Sequence, residues 1–260
     1  MDEDIDIDEK RVYAAKGDRT VVFVATDAGL ARVSVSGDLV GEFGLDHRGD
    51  VADVATRDGA LAVAGEEDVL VGDAFAPTGF GPADAVGFDR NGHLVAAGEG
   101  RVARLASDGW TTLAAVEDVR AVDGDLLAAR DGVFRLDGAH VGLADVRDVA
   151  AAGVPLAATD EGLYRLGNGW MDVLDGAFRV VACEGAAPDA RAHAAGEALY
   201  ERREDAWKAV SLPTDDPVAA VGYGESTYLV TASGTFLVRG EEGWRSRSLG
   251  VPGVRALAVL

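Results

Sequence analysis

The chain contains a single cysteine, Cys183, in 260 residues, so no intramolecular disulfide can staple it and no group of thiolates can hold a metal. Lysine is scarce: Lys10, Lys16 and Lys208 are the only three, and the other 21 of the 24 basic residues are arginines. Isoleucine occurs only at Ile5 and Ile7, which leaves Val, Leu and Ala to build a core. No apolar run approaches the roughly 18 residues that a membrane-spanning helix requires. The N-terminus, MDEDIDIDEK, has neither an apolar signal core nor twin arginines. These features predict a reduced, cytoplasmic protein that does not enter a membrane. Catalytic signatures are missing too. There is no G-x-S-x-G elbow, no P-loop and no G-x-G-x-x-G after a strand. The four histidines, His47, His93, His140 and His193, are scattered without ligand spacing, so no zinc site and no catalytic residue is assigned.

Acid is what the chain has in excess. Asp and Glu number 45 against 24 basic residues, giving a net charge of −21 and a pI near 4.4, which excludes a nucleic-acid-binding surface. Abundant Asp, scarce Lys and an Ala/Val-rich core together point to the cytosol of an extreme halophile. There, hydrated carboxylates keep a surface solvated, and self-repulsion is screened over about 3 Å at about 1 M salt.

A unit repeats along the chain. Its clearest example is Val154–Leu174, VPLAATDEGLYRLGNGWMDVL: two short apolar runs meet at the turn TDEG, and a GNG turn leads to a tryptophan and a third strand. The first strand of each unit ends in alanine, at Ala25, Ala64, Ala97, Ala129, Ala158, Ala195 and Ala232, 29 to 39 residues apart. Third strands open with Trp110, Trp170, Trp207 and Trp244. One further apolar segment separates the units, as in VADVAT, VRAVD, VRDVAA and, at the end, VRALAVL. Four short strands per unit, with turn residues between them, predict a single all-β propeller of seven blades, with six as the alternative if one degenerate unit is miscounted. Val254–Leu260 has the inner-strand pattern without a following meander, so it is expected to complete the first blade and close the ring. The predicted boundaries are an acidic disordered tail over residues 1–9 and the propeller over 10–260. The repeated alanines are expected where blades approach closely, and the tryptophans are expected to cover seams between blades.

Two candidate sites follow. In the usual propeller order, with the separating apolar segment counted as the innermost strand of each blade, the turns between second and third strands carry Asp27, Glu66, Asp68, Glu99, Asp131, Asp160, Glu161 and Glu197. The connections between blades reach the same face and add Asp50, Asp84, Asp118, Asp145, Asp175, Asp215 and Asp216. Such a rim around the channel mouth could hold a divalent cation through oxygen ligands or receive a basic segment. Asp and Gly also suit these turns for backbone reasons alone, and no D-x-D-x-D-G loop is present. The opposite face collects Lys16, Arg19, Arg57, Arg90, Arg191, Arg202 and Arg203. The turn within residues 183–196, the turn ERREDAW and APTGFGP (residues 76–82) depart from the repeat, and function is commonly grafted on such loops. Loops 184–191 and 201–206, with Arg191, Arg202, Arg203 and Asp205, are therefore expected to form one protein-binding patch. The second-strand arginines Arg32, Arg104, Arg135 and Arg165 are expected to pair with acids on neighbouring strands.

The segments ATDEGLYRLGNGW and RVARLASDGWTTL resemble degenerate Asp-box (BNR-like) repeats, most closely at Ser107-Asp108-Gly109-Trp110. Residues 10–260, including KRVYAA and SGDLVGEF, are similar to a β-propeller family of haloarchaea. Asp-box repeats occur in sialidases and in non-enzymatic assembly factors alike, so the resemblance implies a fold and transfers no activity. The sialidase arginine triad has no residue-by-residue counterpart here. The expected function is a non-enzymatic scaffold binding a protein partner through one propeller face, with no cofactor. The alternative is a cation-dependent hydrolase or lactonase with Asp27, Glu99, Asp131 and Asp160 converging on one ion at the channel mouth.

Overall fold

Runs of four to eight Val-, Leu- and Ala-rich residues broken by Gly/Asp turns can bury their apolar side chains only by stacking as sheets. A computed structural model describes residues 19–186, 190–204 and 206–260, and these form seven antiparallel four-stranded sheets in a ring. The tail 1–9, Lys16, Asp205 and residues 187–189 of the long turn lie outside the described residues. Blade 1 consists of Val254–Val259, Thr20–Thr26, Gly29–Ser36 and Leu39–Arg48, from the axis outwards. The inner strands of blades 2 to 7 are Val51–Arg57, Ala85–Phe88, Val119–Asp123, Val146–Ala150, Val180–Glu184 and Val218–Tyr223. In each of these blades the following three strands lie progressively further out.

The C-terminal strand closes the ring as expected. Val22 pairs with Val259, Val24 with Leu257 and Ala25 with Ala256, so the two ends of the chain share one sheet. Seven hydrophobic clusters lie at the seven seams between neighbouring blades. The small second-strand residues belong to them. Ala25 meets Val51 and Val54 of blade 2, Ala64 meets Val86 of blade 3, and Ala158 meets Val181 of blade 6. A larger side chain there would push an inner strand off its neighbour. One alanine faces the preceding seam rather than the following one, and one position differs from the sequence reading. In blade 4, Ala129 packs at the seam with blade 3, while its neighbour Ala128 meets Val146 and Val149 of blade 5. In blade 7 the position belongs to buried Val230, and Ala232 sits in the exposed turn that follows.

Tryptophans of the outer strands reach back to the preceding blade. Trp110 Nε1 donates to Thr78 O and Trp170 Nε1 to Val141 O, both at 3.2 Å. The inner strands of blades 2, 4, 5 and 7 each carry an irregularity near their start, and the closing strand has one at Arg255. These bulges leave Arg120, Arg147 and Arg255 out of the ladder at one end of the channel.

Candidate functional site

The seven inner strands surround a central cavity of about 340 Å³. Three carboxyl groups line it, Asp53, Asp123 and Asp148. Inner strands of adjacent blades are not paired with each other, so some of their N–H groups face the channel without a strand partner. The carboxyls supply one. Asp53 accepts from its own neighbour Val54 at 2.8 Å and from Val86 of blade 3 at 2.9 Å. Asp148 does the same with Val149 at 2.8 Å and with Val181 of blade 6 at 2.9 Å. Asp123 accepts from Ala151 of blade 5 at 2.7 Å. Each carboxyl thus clamps two adjacent blades. Burial pushes Asp53 and Asp148 up to about 7 despite these amide bonds, and it raises Asp123 as well. Proximity of Asp123 and Asp53 raises Asp148 further. All three keep partial exposure, which places them on the channel wall rather than in a sealed core.

Above this tier the mouth is ringed by Arg120, Arg147, Arg179 and Arg255. The acids of the expected rim lie around these arginines, and some of them bond to the arginines or to backbone amides. Asp160 receives Arg147 in a two-pronged pair, Nε–Oδ1 2.8 Å and Nη2–Oδ2 2.5 Å, and this hydrogen bonding holds its carboxyl below the usual range. Arg255 bridges Asp27 and Asp50, each at 2.7 Å. Asp68 faces the loop 76–82, where the amides of Gly79, Phe80 and Gly81 bond to it. Partial burial opposes its ionisation, but those amides and that of Val69 outweigh burial and hold its pKa low. Glu66, Glu99, Asp131, Glu161 and Glu197 are exposed at their turns. Burial first, then repulsion from Asp118 and Glu99, raises Asp84. Among the described residues, no three of His, Cys, Asp and Glu are grouped so as to hold a metal ion, so Asp27, Glu99, Asp131 and Asp160 do not converge.

On the opposite face the two irregular loops touch, because Arg202 Nη2 donates to Ala190 O at 2.6 Å. Arg191 pairs with Glu184 through Nε at 3.0 Å, donates to Gly224 O and lies over the Tyr223 ring at 5.1 Å. Arg203 pairs with Glu201 at 2.7 Å. Between blades 5 and 6, Val154, Leu156, Arg165, Leu174, Arg202 and Trp207 line an open groove of about 760 Å³. The second-strand arginines divide. Arg32 lies 3.6 Å from Asp46 on the adjacent strand and Arg104 2.9 Å from buried Asp89, whereas Arg165 points into the groove. His193 is buried against Tyr223. Burial lowers it to about 4, so it stays neutral beside the Tyr223 hydroxyl at 2.9 Å, which itself donates to Ala182 O.

The channel residues escaped the sequence reading, although a signal was present. Val-x-Asp-Val recurs at 51–54 and 146–149, and an arginine precedes or enters four inner strands, at 120, 147, 179 and 255.

The fold has close structural parallels at low identity. The computationally designed Ika8 protein superposes with a TM-score of 0.61 at 14% identity, covering 91% of this chain and 86% of the design. The WD40 domain of Doa1 matches at 0.58 and 14% identity over 89% and 90% of the two chains. The Pan2 WD40 domain of Neurospora crassa matches at 0.61 and 12% over 89% and 87%. At these identities the likeness is one of fold alone. Comparison with curated proteins returned no match. A family description does cover the chain almost end to end: residues 6–260 match the HVO_0234-like β-propellers, and the protein belongs to that family.

Proposed function

We propose that the protein is a non-enzymatic interaction scaffold in the cytoplasm of an extreme halophile, holding a protein partner across the seam of blades 5 and 6. The observation that carries this reading is the groove containing Trp207. At the seams of blades 2/3 and 4/5, the outer tryptophans Trp110 and Trp170 donate to a carbonyl of the preceding blade. Trp207 packs on the blade 5/6 cluster yet borders an open groove flanked by Arg165 and Arg202. An accessible indole between two guanidinium groups is the residue combination enriched at interaction hot spots. Arg202 and Glu204 of one irregular loop line this groove, and the Arg202 bond to Ala190 ties that loop to the other. Acid turns that do not gather an ion weaken the hydrolase alternative, because its proposed ligands have no common centre.

Affinity capture from the native lysate in molar KCl, read by mass spectrometry, tests the proposal. A stoichiometric partner retained by the wild type and lost with Trp207→Ala or Arg203→Ala, at unchanged circular dichroism, supports it. A wild-type bait without a stoichiometric partner, or variants that keep theirs, refutes it.

A further inference from the structure

The central channel has an order that the scaffold reading does not use. At its mouth, three arginines on adjacent blades, Arg120, Arg147 and Arg179, line the same cavity, close to one carboxylate, Asp160. Only Arg147 bonds directly to that carboxylate. Arg120 makes one bond, Nη1 to Val146 O at 3.0 Å. Arg179 is exposed and forms no ion pair or side-chain hydrogen bond among the described residues. A guanidinium carries five donors, so this wall of the mouth holds several uncommitted N–H groups and more positive than negative charge.

Immediately inside lie acceptors. Asp148 gives each oxygen to one amide, and Asp123 accepts from Ala151, while every carboxyl oxygen has two lone-pair sites. The remaining sites face a cavity of about 340 Å³, at the small end of the roughly 300–1,000 Å³ spanned by ligand pockets. An occupant must therefore present acceptors, preferably charged, to the mouth and donors to the wall. A bare anion satisfies only the first tier, and a neutral polyol only the second.

We propose that the channel binds a small polyhydroxylated organic anion, its acid group seated among Arg120, Arg147 and Arg179 and its hydroxyl groups on Asp123 and Asp148. The acid group is a carboxylate or a phosphate, both of which accept from a planar guanidinium. The carboxyl tier lies inside the cavity, whereas Arg147 and Arg179 are exposed at its mouth, so salt screens the acid-group contact and the hydroxyl contacts within add to it. The site is separate from the blade 5/6 groove and independent of any partner there.

Titration calorimetry in molar KCl at pH 7 tests this with four probes: gluconate, glucose 6-phosphate, inorganic phosphate and glucose. Binding of gluconate or glucose 6-phosphate is expected, and which of the two binds identifies the acid group. Inorganic phosphate should bind at least about tenfold more weakly and glucose not measurably. Arg179→Ala, which removes no bond within the protein, should weaken the organic anion at least about tenfold. Asp123→Asn and Asp148→Asn should weaken the organic anion while leaving inorganic phosphate unchanged. Absence of heat with both polyol anions overturns the proposal, as does equal affinity for inorganic phosphate or indifference to Arg179→Ala. Should an Asp variant fail to fold, the Arg179→Ala result decides alone.

Discussion

Asp148→Asn isolates the cost of placing a carboxyl on the channel wall. In the folded protein the group titrates near 7, raised from 3.8 chiefly by burial. Its folded-state pKa thus exceeds its unfolded one, and the folded state holds the proton more tightly. The stability this contributes is complete below about pH 4 and is lost as pH rises through about 7. The slope approaches 1.4 kcal/mol per pH unit for one group, reduced by the channel solvent that the carboxyl still touches. The asparagine has no such dependence. Its oxygen can accept from Val149 or Val181, but its NH₂ cannot accept from the other, so one inter-blade hydrogen bond is lost at a cost of about 1–3 kcal/mol. At pH 4.5 the variant should therefore be the less stable protein. Between pH 5 and 8 the wild type loses its advantage and the variant does not, so the gap narrows and closes near pH 8. Guanidinium-free urea denaturation in molar KCl, taken at half-unit pH steps for both proteins, measures that difference directly. The background titration of the many surface acids cancels in it. A gap that stays constant from pH 4.5 to 8 would refute the reasoning, because it would mean that Asp148 has the same pKa folded and unfolded.

Three further outcomes follow from the packing. Deleting residues 254–260 removes the pairing partners of Val22, Phe23 and Val24 and strips Leu257 and Val259 from the blade 7/1 seam. Cooperative thermal unfolding should disappear and return when the missing strand is supplied as a peptide; retention of the wild-type melt would show that the ring does not depend on closure. Gly87→Ala places a methyl 2.4 Å from the backbone oxygen of Val122, where neither inner strand can yield without moving a blade. A loss of about 1–3 kcal/mol is expected from overpacking, and an unchanged melting temperature would show that blades 3 and 4 separate freely. Trp170→Phe keeps the ring but deletes the bond to Val141 O, costing about 1 kcal/mol. Trp170→Ala should cost about 3 kcal/mol or more by opening the seam; equal losses for the two would mean that the indole N–H, not the packing, carries the effect.

Much of the architecture is legible because each blade states its own rules locally. Period-two apolar runs, TDEG-type turns and outer tryptophans recur at intervals set by one meander, and an unpaired inner-strand pattern at Val254–Leu260 announces the closure. The alanine pattern is less uniform than the repeat suggests. Ala128 and Ala129 are adjacent and so face opposite seams, blade 5 and blade 3. In blade 7 a threonine, Thr231, ends the strand as Thr26 and Thr159 do, which moves the seam position to Val230.

Charge at the channel was harder to read, for a reason rooted in sheet geometry. A strict alternation assigns successive inner-strand residues to opposite faces, but a bulge after the first residue of the strand breaks that alternation where Arg120 and Arg147 stand. The carboxylates that answer the arginines come from far along the chain: Asp27 and Asp50 meet an arginine more than 200 residues later, at position 255. Composition sums these charges to −21 and suggests a mouth suited to cations. The fold sorts them instead. Acids on exposed turns face solvent or are drawn onto arginines at the rim, and the carboxyls inside the channel each hold an inter-blade amide. Bulges leave Arg120, Arg147 and Arg255 free to face the mouth, and Arg179 joins them from the connection before an unbulged strand, so the sign of the potential there is set by local chain geometry rather than by net charge. Any ligand that selects this mouth must therefore be chosen by the local arrangement of Arg120, Arg147 and Arg179, against the overall field of the protein.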